Sequence, residues 1–258
     1  MNLAAGQISI RYGFKGPIGA PVTACAAGVQ AIGDGARLIR AGEADVAVCG
    51  GTEACINSIS LGGFAAARSL STGFNDTPAS ASRPFDIARD GFVMGEGAGI
   101  VVVEALDHAL ARGATPLAEL VGYGTTADAY HITSGPEDGD GARRAIEIAI
   151  DQAGIRPSDI KHVNAHATST PVGDKSEIEA IKAVFGREGG VAVSANRCEQ
   201  VHMAAFKYRS CGTQRHKRPL AYDQTYERTR GRALRLSASQ AFAHYRSIFG
   251  KVSPRIPR

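Results

Sequence analysis

Pro21-Val22-Thr23-Ala24-Cys25-Ala26-Ala27-Gly28 crowds small residues around a thiol, at the point where an extended segment turns into a helix. The spacing predicts that helix over 26–41, with Ala31, Ile32, Leu38 and Ile39 as its apolar stripe. A cysteine at a helix N-terminus faces unpaired backbone N–H groups and the positive end of the macrodipole, and both favour the thiolate. Small neighbours leave room for a substrate to reach sulfur. The segment alone leaves two readings open, a nucleophile or a buried structural cysteine, because free cysteine is common in cores.

A second segment bears on the choice. His162-Val163-Asn164-Ala165-His166-Ala167-Thr168-Ser169-Thr170-Pro171-Val172-Gly173-Asp174 follows a predicted strand over 160–164 and precedes a predicted helix over 175–185. It sets an imidazole and two hydroxyl-bearing threonines on a strand-to-helix loop, where functional groups of open α/β sheets gather. A cysteine and a distant histidine that meet in the fold make the minimal nucleophilic pair. By itself His166 also reads as an ordinary loop histidine.

The rest of the chain alternates in type, as an α/β fold requires. Strands are predicted over 45–49, 99–104, 117–124 and from Val191, and helices over 105–112 and 141–153. The second of these helices turns Ala145, Ile146, Ala149 and Ile150 inward. Residues 61–64 read as a glycine-broken stretch, and Gly50-Gly51 as a strand end. The four glycines of Gly91 to Gly99 lack the Lys-Ser/Thr ending of a phosphate loop and the spacing of a dinucleotide loop. They are expected to permit tight turns beside the site. Cys49 and Cys55 lack a C-x-x-C spacing, so no metal is expected.

Taken with Arg83-Pro84-Phe85-Asp86 and Arg89-Asp90-Gly91-Phe92-Val93-Met94-Gly95-Glu96-Gly97-Ala98-Gly99, the two segments resemble the β-ketoacyl-acyl carrier protein synthases of the thiolase superfamily. Three long motifs in order, from about Leu3 to about Ala195, carry the resemblance. It implies an α/β chain with the thiolase-like layered α/β/α/β/α architecture, incomplete here. Residues 1–105 would belong to the first thiolase-like half and 106–195 to the second, with 196–258 a tail of different character. The implied reaction is a decarboxylative condensation in fatty-acid elongation. Cys25 would hold the acyl chain, and His166 would polarise the malonyl thioester carbonyl and stabilise the enolate. Thr168 and Thr170 match positions that bond a phosphopantetheine arm, and Glu177 and Asp174 match supporting positions. Asp128, His131 and Thr133 match a loop near the pantetheine tunnel, where an ordinary loop reading competes. The resemblance also implies acyl carrier protein as partner, a homodimer, and no cofactor beyond the phosphopantetheine that the carrier protein brings. A polyketide ketosynthase and a non-catalytic chain-length subunit share the motifs. The retained Cys25 argues against the latter.

Two departures stand out. Only 24 residues precede Cys25, so the first strands of the family are expected to be missing and an apolar sheet edge exposed. After Ala195 the sequence Asn196-Arg197-Cys198-Glu199-Gln200-Val201-His202 leaves the family pattern. Arg197 falls where a family lysine is expected and His202 where the second histidine is, so His202 is a candidate catalytic residue by register alone. Arginine in place of lysine would alter hydrogen-bond geometry. Residues 197–258 hold 14 Lys+Arg and 3 Asp+Glu, whereas the remainder holds 15 and 22. The basic balance of the chain, +4 overall, therefore resides in the tail. The tail reads either as a nucleic-acid-binding appendage or as sequence out of frame after about codon 195. The second is the expectation, since the motif stops mid-strand where the charge changes, and no nucleic-acid partner is expected. No window approaches 18 apolar residues, so no membrane span is expected. The first residues lack the pattern of a secretory signal, and five cysteines without a spacing pattern fit a reducing cytoplasm.

Overall fold

A computed structural model describes residues 2–187 and 190–195, and the backbone of 205–207 and 234–237. His202 and Arg197 lie outside the described residues. The chain begins with α1 (Leu3–Tyr12), which buries none of its residues and which the sequence pattern did not suggest. A 3-10 turn, Ala24–Ala26, then leads into α2 (Ala27–Arg40). The buried stripe of α2 is Gly28, Val29, Ile32, Gly33, Gly35, Ala36 and Ile39. Ala31 and Leu38, expected inward, are only half-buried, because the small residues take the closest approach to the sheet.

Next come β1 (Val46–Glu53), α3 (Ser58–Ala66), β2 (Gly97–Ala105), α4 (Leu106–Ala111), β3 (Ala118–Gly122), α5 (Asp140–Ala153) and β4 (His162–Asn164). The chain continues through α6 (Pro171–Phe185), β5 (Ala192–Ser194), β6 (Ala205–Lys207) and β7 (Leu234–Ser237). The larger sheet has the order β1-β2-β7-β3-β6, with antiparallel neighbours, and β4 pairs with β5 in parallel. Val46 and Val48 of β1, each 41% exposed, lie on the face of the strand opposite Ala47 and Cys49, which pack on the core. In the register of β7, Arg235 is the partner of both Glu104 and Glu119.

Three local readings differ from expectation. Residues 61–64 belong to a helix, because Asn57 caps it: its side-chain oxygen accepts from Ser60 N at 3.0 Å, against the low propensity of Gly62-Gly63. Gly50-Gly51 lies inside β1, opposite Ile100 and Gly99, rather than ending a strand. The sixth helix begins at Pro171 rather than Lys175, because proline at the first helical position needs no N–H partner.

Two hydrophobic clusters organise the chain. Ile32, Ala36 and Ile39 of α2 pack with Cys49, Val103, Ala105 and Leu120 of the large sheet. Val163, Ala165, Ala167 and Ile181 form the second, with Phe85, Ile160, Phe185, Val191 and Ala195 around them. The first cluster supports the helix behind Cys25, and the second supports the loop that carries His166.

Candidate active site

The His166 loop buries every second residue, although only His162–Asn164 of it is strand. Val163, Ala165, Ala167 and Ser169 are buried, while Asn164, His166, Thr168 and Thr170 between them are half-buried. Small residues at the buried positions let the chain press on the second cluster and leave the alternate side open. On that side Thr168 Oγ1 and Thr170 Oγ1 share a hydrogen bond of 2.9 Å.

The loop is held in an uncommon conformation. Ala167 has φ 26° and Ser169 has φ 67°, values that L-residues adopt at a cost. Ser169 repays that cost through all three of its polar groups. Its N–H donates to Asp174 Oδ1 at 3.0 Å, its Oγ accepts from Arg83 N at 3.0 Å, and its carbonyl accepts from Gly91 N at 3.1 Å. Asp174 is fully buried and also accepts from Phe85 N at 2.8 Å. Arg89 Nε lies 3.6 Å from the same Oδ2 that accepts from Phe85, and Arg89 donates to the carbonyls of Thr170 at 3.2 Å and Pro171 at 2.8 Å. A Cβ on Gly91 would collide with the Leu70 backbone, so glycine is what lets this strap reach Ser169. The second and third sequence motifs are thus one interlocked unit.

Glu177 closes the unit from the helix side. Its two oxygens accept from His166 N at 2.7 Å and Ala167 N at 2.6 Å. Burial pushes its carboxyl above the ordinary range, while these two N–H donors pull the other way. Glu177 therefore fixes the backbone of His166 rather than adding charge to an open cleft.

Cys25 stands in a different setting. It is exposed, in the middle of the 3-10 turn that starts α2, with Ala26 N donating to Thr23 O at 3.0 Å. Ala24 just before it has φ 49°. Cys49 is buried, its thiol pushed up to about 11 by burial and then by Asp34. Cys55 is half-buried and raised by burial first, then by Glu53 and Glu96. Of these three, Cys25 is the thiol that a large substrate can reach.

Asp128, His131 and Thr133 are exposed. Thr133 N donates to His131 Nδ1 at 3.2 Å, so these two stand together. The Asp128 carboxylate lies instead against Gly141 in the first turn of α5. Lys175–Glu137, at 3.3 Å, and Ser176 Oγ to Pro136 O, at 2.7 Å, tie this loop to α6. The sequence assigns no role to Ser169 or Arg89, whereas the close approach at Gly91 is of the kind expected for the glycines of 91–99. A serine at an alternately buried position was the available signal for the first.

Residues 1–109 match the N-terminal domain of the beta-ketoacyl synthases, and residues 117–205 match the C-terminal domain. The chain belongs to the β-ketoacyl synthase family. It is 52% identical over 206 residues to the mitochondrial 3-oxoacyl-[acyl-carrier-protein] synthase of Arabidopsis thaliana, covering 79% of this chain and 45% of that protein. With 3-oxoacyl-[acyl-carrier-protein] synthase 2 of Staphylococcus aureus it shares 55% identity over 185 residues, 72% of this chain and 45% of the other. The chain thus spans about half the length of these relatives. Among solved structures, a ketosynthase in complex with its type II PKS acyl-carrier protein and bound to the hexaketide superposes with TM-score 0.73 at 38% identity, covering 75% of this chain and 48% of that one. A beta-ketoacyl synthase from Burkholderia phymatum gives 0.69 at 38%, covering 72% and 44%. The α/β, thiolase-like fold of a β-ketoacyl synthase is the fold of this chain.

Proposed function

We propose that this chain carries the acyl-accepting half-reaction of a 3-oxoacyl-acyl carrier protein synthase, with Cys25 as nucleophile. The observation that carries the reading is the locked His166 loop, in a chain more than half identical to 3-oxoacyl-acyl carrier protein synthases. The Cys25 thiolate attacks the thioester carbonyl of an acyl-acyl carrier protein, the carrier's thiol leaves, and the acyl group stays on sulfur. In the condensation, malonyl-acyl carrier protein loses carbon dioxide. Its enolate carbon attacks the acyl-cysteine carbonyl, releasing the Cys25 thiol and 3-oxoacyl-acyl carrier protein. A ring N–H of His166 would stabilise the enolate oxygen, with His202 as the second imidazole by register. Thr168 and Thr170 would bond the phosphopantetheine arm of the substrate.

The carrier protein as partner is supported by the related ketosynthase solved with its acyl-carrier protein. Exposed apolar side chains of α1 and α3, such as Leu3, Ile10 and Ile59, are consistent with the homodimer we assign to the protein. The relatives at 52–55% identity are named 3-oxoacyl-[acyl-carrier-protein] synthases, which supports fatty-acid elongation.

Decanoyl-acyl carrier protein mixed with the full chain, followed by intact mass measurement, tests the reading. A decanoyl adduct that maps to Cys25 and disappears in Cys25→Ala is expected. His166→Ala should still take the acyl group but release no carbon dioxide from malonyl-acyl carrier protein. A wild-type chain that takes no acyl group would refute the assignment.

A further inference from the structure

Ala24 precedes the exposed Cys25 at φ 49°, yet the turn has no buried polar residue to hold it there, in contrast to the His166 loop. Strained backbone persists only where neighbours over-determine it. The turn's own bonds are Ala26 N to Thr23 O and Ala27 N to Ala24 O, and both close within the turn itself. One side-chain bond reaches outward: Thr23 Oγ1 donates to Gln30 Oε1 at 2.8 Å, one helical turn into α2. Gln30 is itself held, because its Nε2 donates to Asp34 Oδ2 at 3.3 Å. Asp34 Oδ1 accepts from Arg37 at 3.2 Å, and the Arg37 guanidinium lies 4.9 Å from the centre of the Tyr123 ring. Tyr123 is buried, its ring against Gly33. A continuous set of contacts therefore runs along one side of α2, from the residue two before the nucleophile to the packed end of β3.

We propose that Gln30 is a positioning residue for Cys25: through Thr23 it clamps the approach to the nucleophile turn onto α2 and keeps Ala24 in its left-handed conformation. The catalytic meaning of the clamp rests on the acyl-transfer reading above. Its structural content does not. With the bond absent, Ala24 can relax toward ordinary φ, and both the Cys25 sulfur and the Cys25 N–H swing away from their fixed direction at the start of α2. Asp34 and Arg37 keep Gln30 from rotating to other partners, so the clamp is preorganised rather than formed on binding.

The test uses the full chain with Thr23→Val, Gln30→Met, the pair together, and Thr23→Ser, which keeps the hydroxyl. Amide hydrogen exchange of the peptide spanning 22–30 reads the clamp directly. Exchange at Ala26 and Ala27 should rise roughly three- to tenfold in either single variant, the size expected from one side-chain hydrogen bond. Thr23→Ser should stay at the wild-type value. The double variant should be no worse than the singles, because both remove the same bond. The acylation rate at saturating decanoyl-acyl carrier protein should fall by a similar factor with its KM unmoved. Unchanged exchange at 26–27 in the single variants would overturn the proposal, and so would additive effects in the double variant. A wild-type chain that takes no acyl group would refute the acyl-transfer reading, and exchange would still decide the clamp.

Discussion

The His166 loop and the Cys25 turn both place a candidate catalytic side chain next to a non-glycine residue at positive φ, but they hold it in opposite ways. Of the six such residues among those described, Ala24, Phe85, Ala167 and Ser169 fall in these two places and the strap that crosses the loop. Around His166 the conformation is fixed by buried groups: Ser169 and Asp174 at no exposure, the Arg83–Gly91 strap, and Glu177 on two successive N–H groups. Around Cys25 every residue from Val22 to Ala26 is exposed, and support comes only from the helix side. The loop that carries His166 is thus built into this chain's interior, whereas the turn that carries Cys25 lies on its surface.

The comparison breaks most visibly at Asp174. Asp174→Ala removes the acceptor for Ser169 N and Phe85 N and leaves Arg89 without its carboxylate. Removing one partner of a buried ion pair costs about 3–5 kcal/mol. Denaturant unfolding should show a loss of that size, and limited proteolysis should open the loop between β4 and α6. Thr23→Val, at the exposed turn, should cost no more than about 1 kcal/mol in the same measurement, as one exposed hydrogen bond does. Equal losses at the two positions would remove the distinction between the two regions.

Gly33→Ala probes the seam between them. A Cβ at this position of α2 would run into the Tyr123 ring, whose edge is held between the helix and Arg37. The gain in helix propensity is about 1 kcal/mol, while overpacking costs about 1–3 kcal/mol. The variant should therefore be net destabilised by up to about 2 kcal/mol. Because α2 must shift to make room, Cys25 acylation should slow while the proteolytic stability of the His166 loop is unchanged. Ring-current-shifted methyl signals around Tyr123 would report the movement.

The parts legible from sequence were those whose pattern is local. The helix after Cys25, the strands at β1, β2 and β4, and the α/β class follow from small-residue spacing, apolar runs and alternation. The three motifs marked both regions of the site. What sequence did not carry was pairing at long separation: that Arg83, Arg89 and Gly91 would reach across to residues 169–174 is a fact of tertiary packing. The predicted helix over 175–185 starts four residues late, although proline suits a first helical position. Residues 61–64 were misread because the Asn57 cap lies upstream of the glycines. The bonds of Glu177 were out of reach as well, since a glutamate at that spacing fits an exposed helix face equally well until the loop folds back on it.

The smallest effects are expected from pH, and they separate two carboxylates that look alike in sequence. Glu104, at the end of β2, is buried and accepts from Arg112 Nε at 2.7 Å, from Arg112 Nη2 at 2.6 Å and from His108 Nδ1 at 2.6 Å. The Arg112 hydrogen bonds hold its carboxyl down at about 2, outweighing the burial that would raise it. Its contribution is therefore present above the ordinary value of 4.5 and is lost as pH falls from there toward about 2. With both partners half in solvent, that loss is about 1–3 kcal/mol. Burial raises the Glu177 carboxyl first; the N–H groups of Ala167 and His166 lower it, and the nearby Asp174 charge raises it further. Its contribution is full below 4.5 and declines as pH rises through its elevated value, the opposite slope. Unfolding free energies measured from pH 2 to 7 should lose the acid-side fall in Glu104→Gln and the higher-pH decline in Glu177→Gln. If both variants flatten the same limb of the curve, then Glu177 answers to a positive charge after all. The support beneath His166 would then be electrostatic, and the two regions of the site would differ in depth but not in kind.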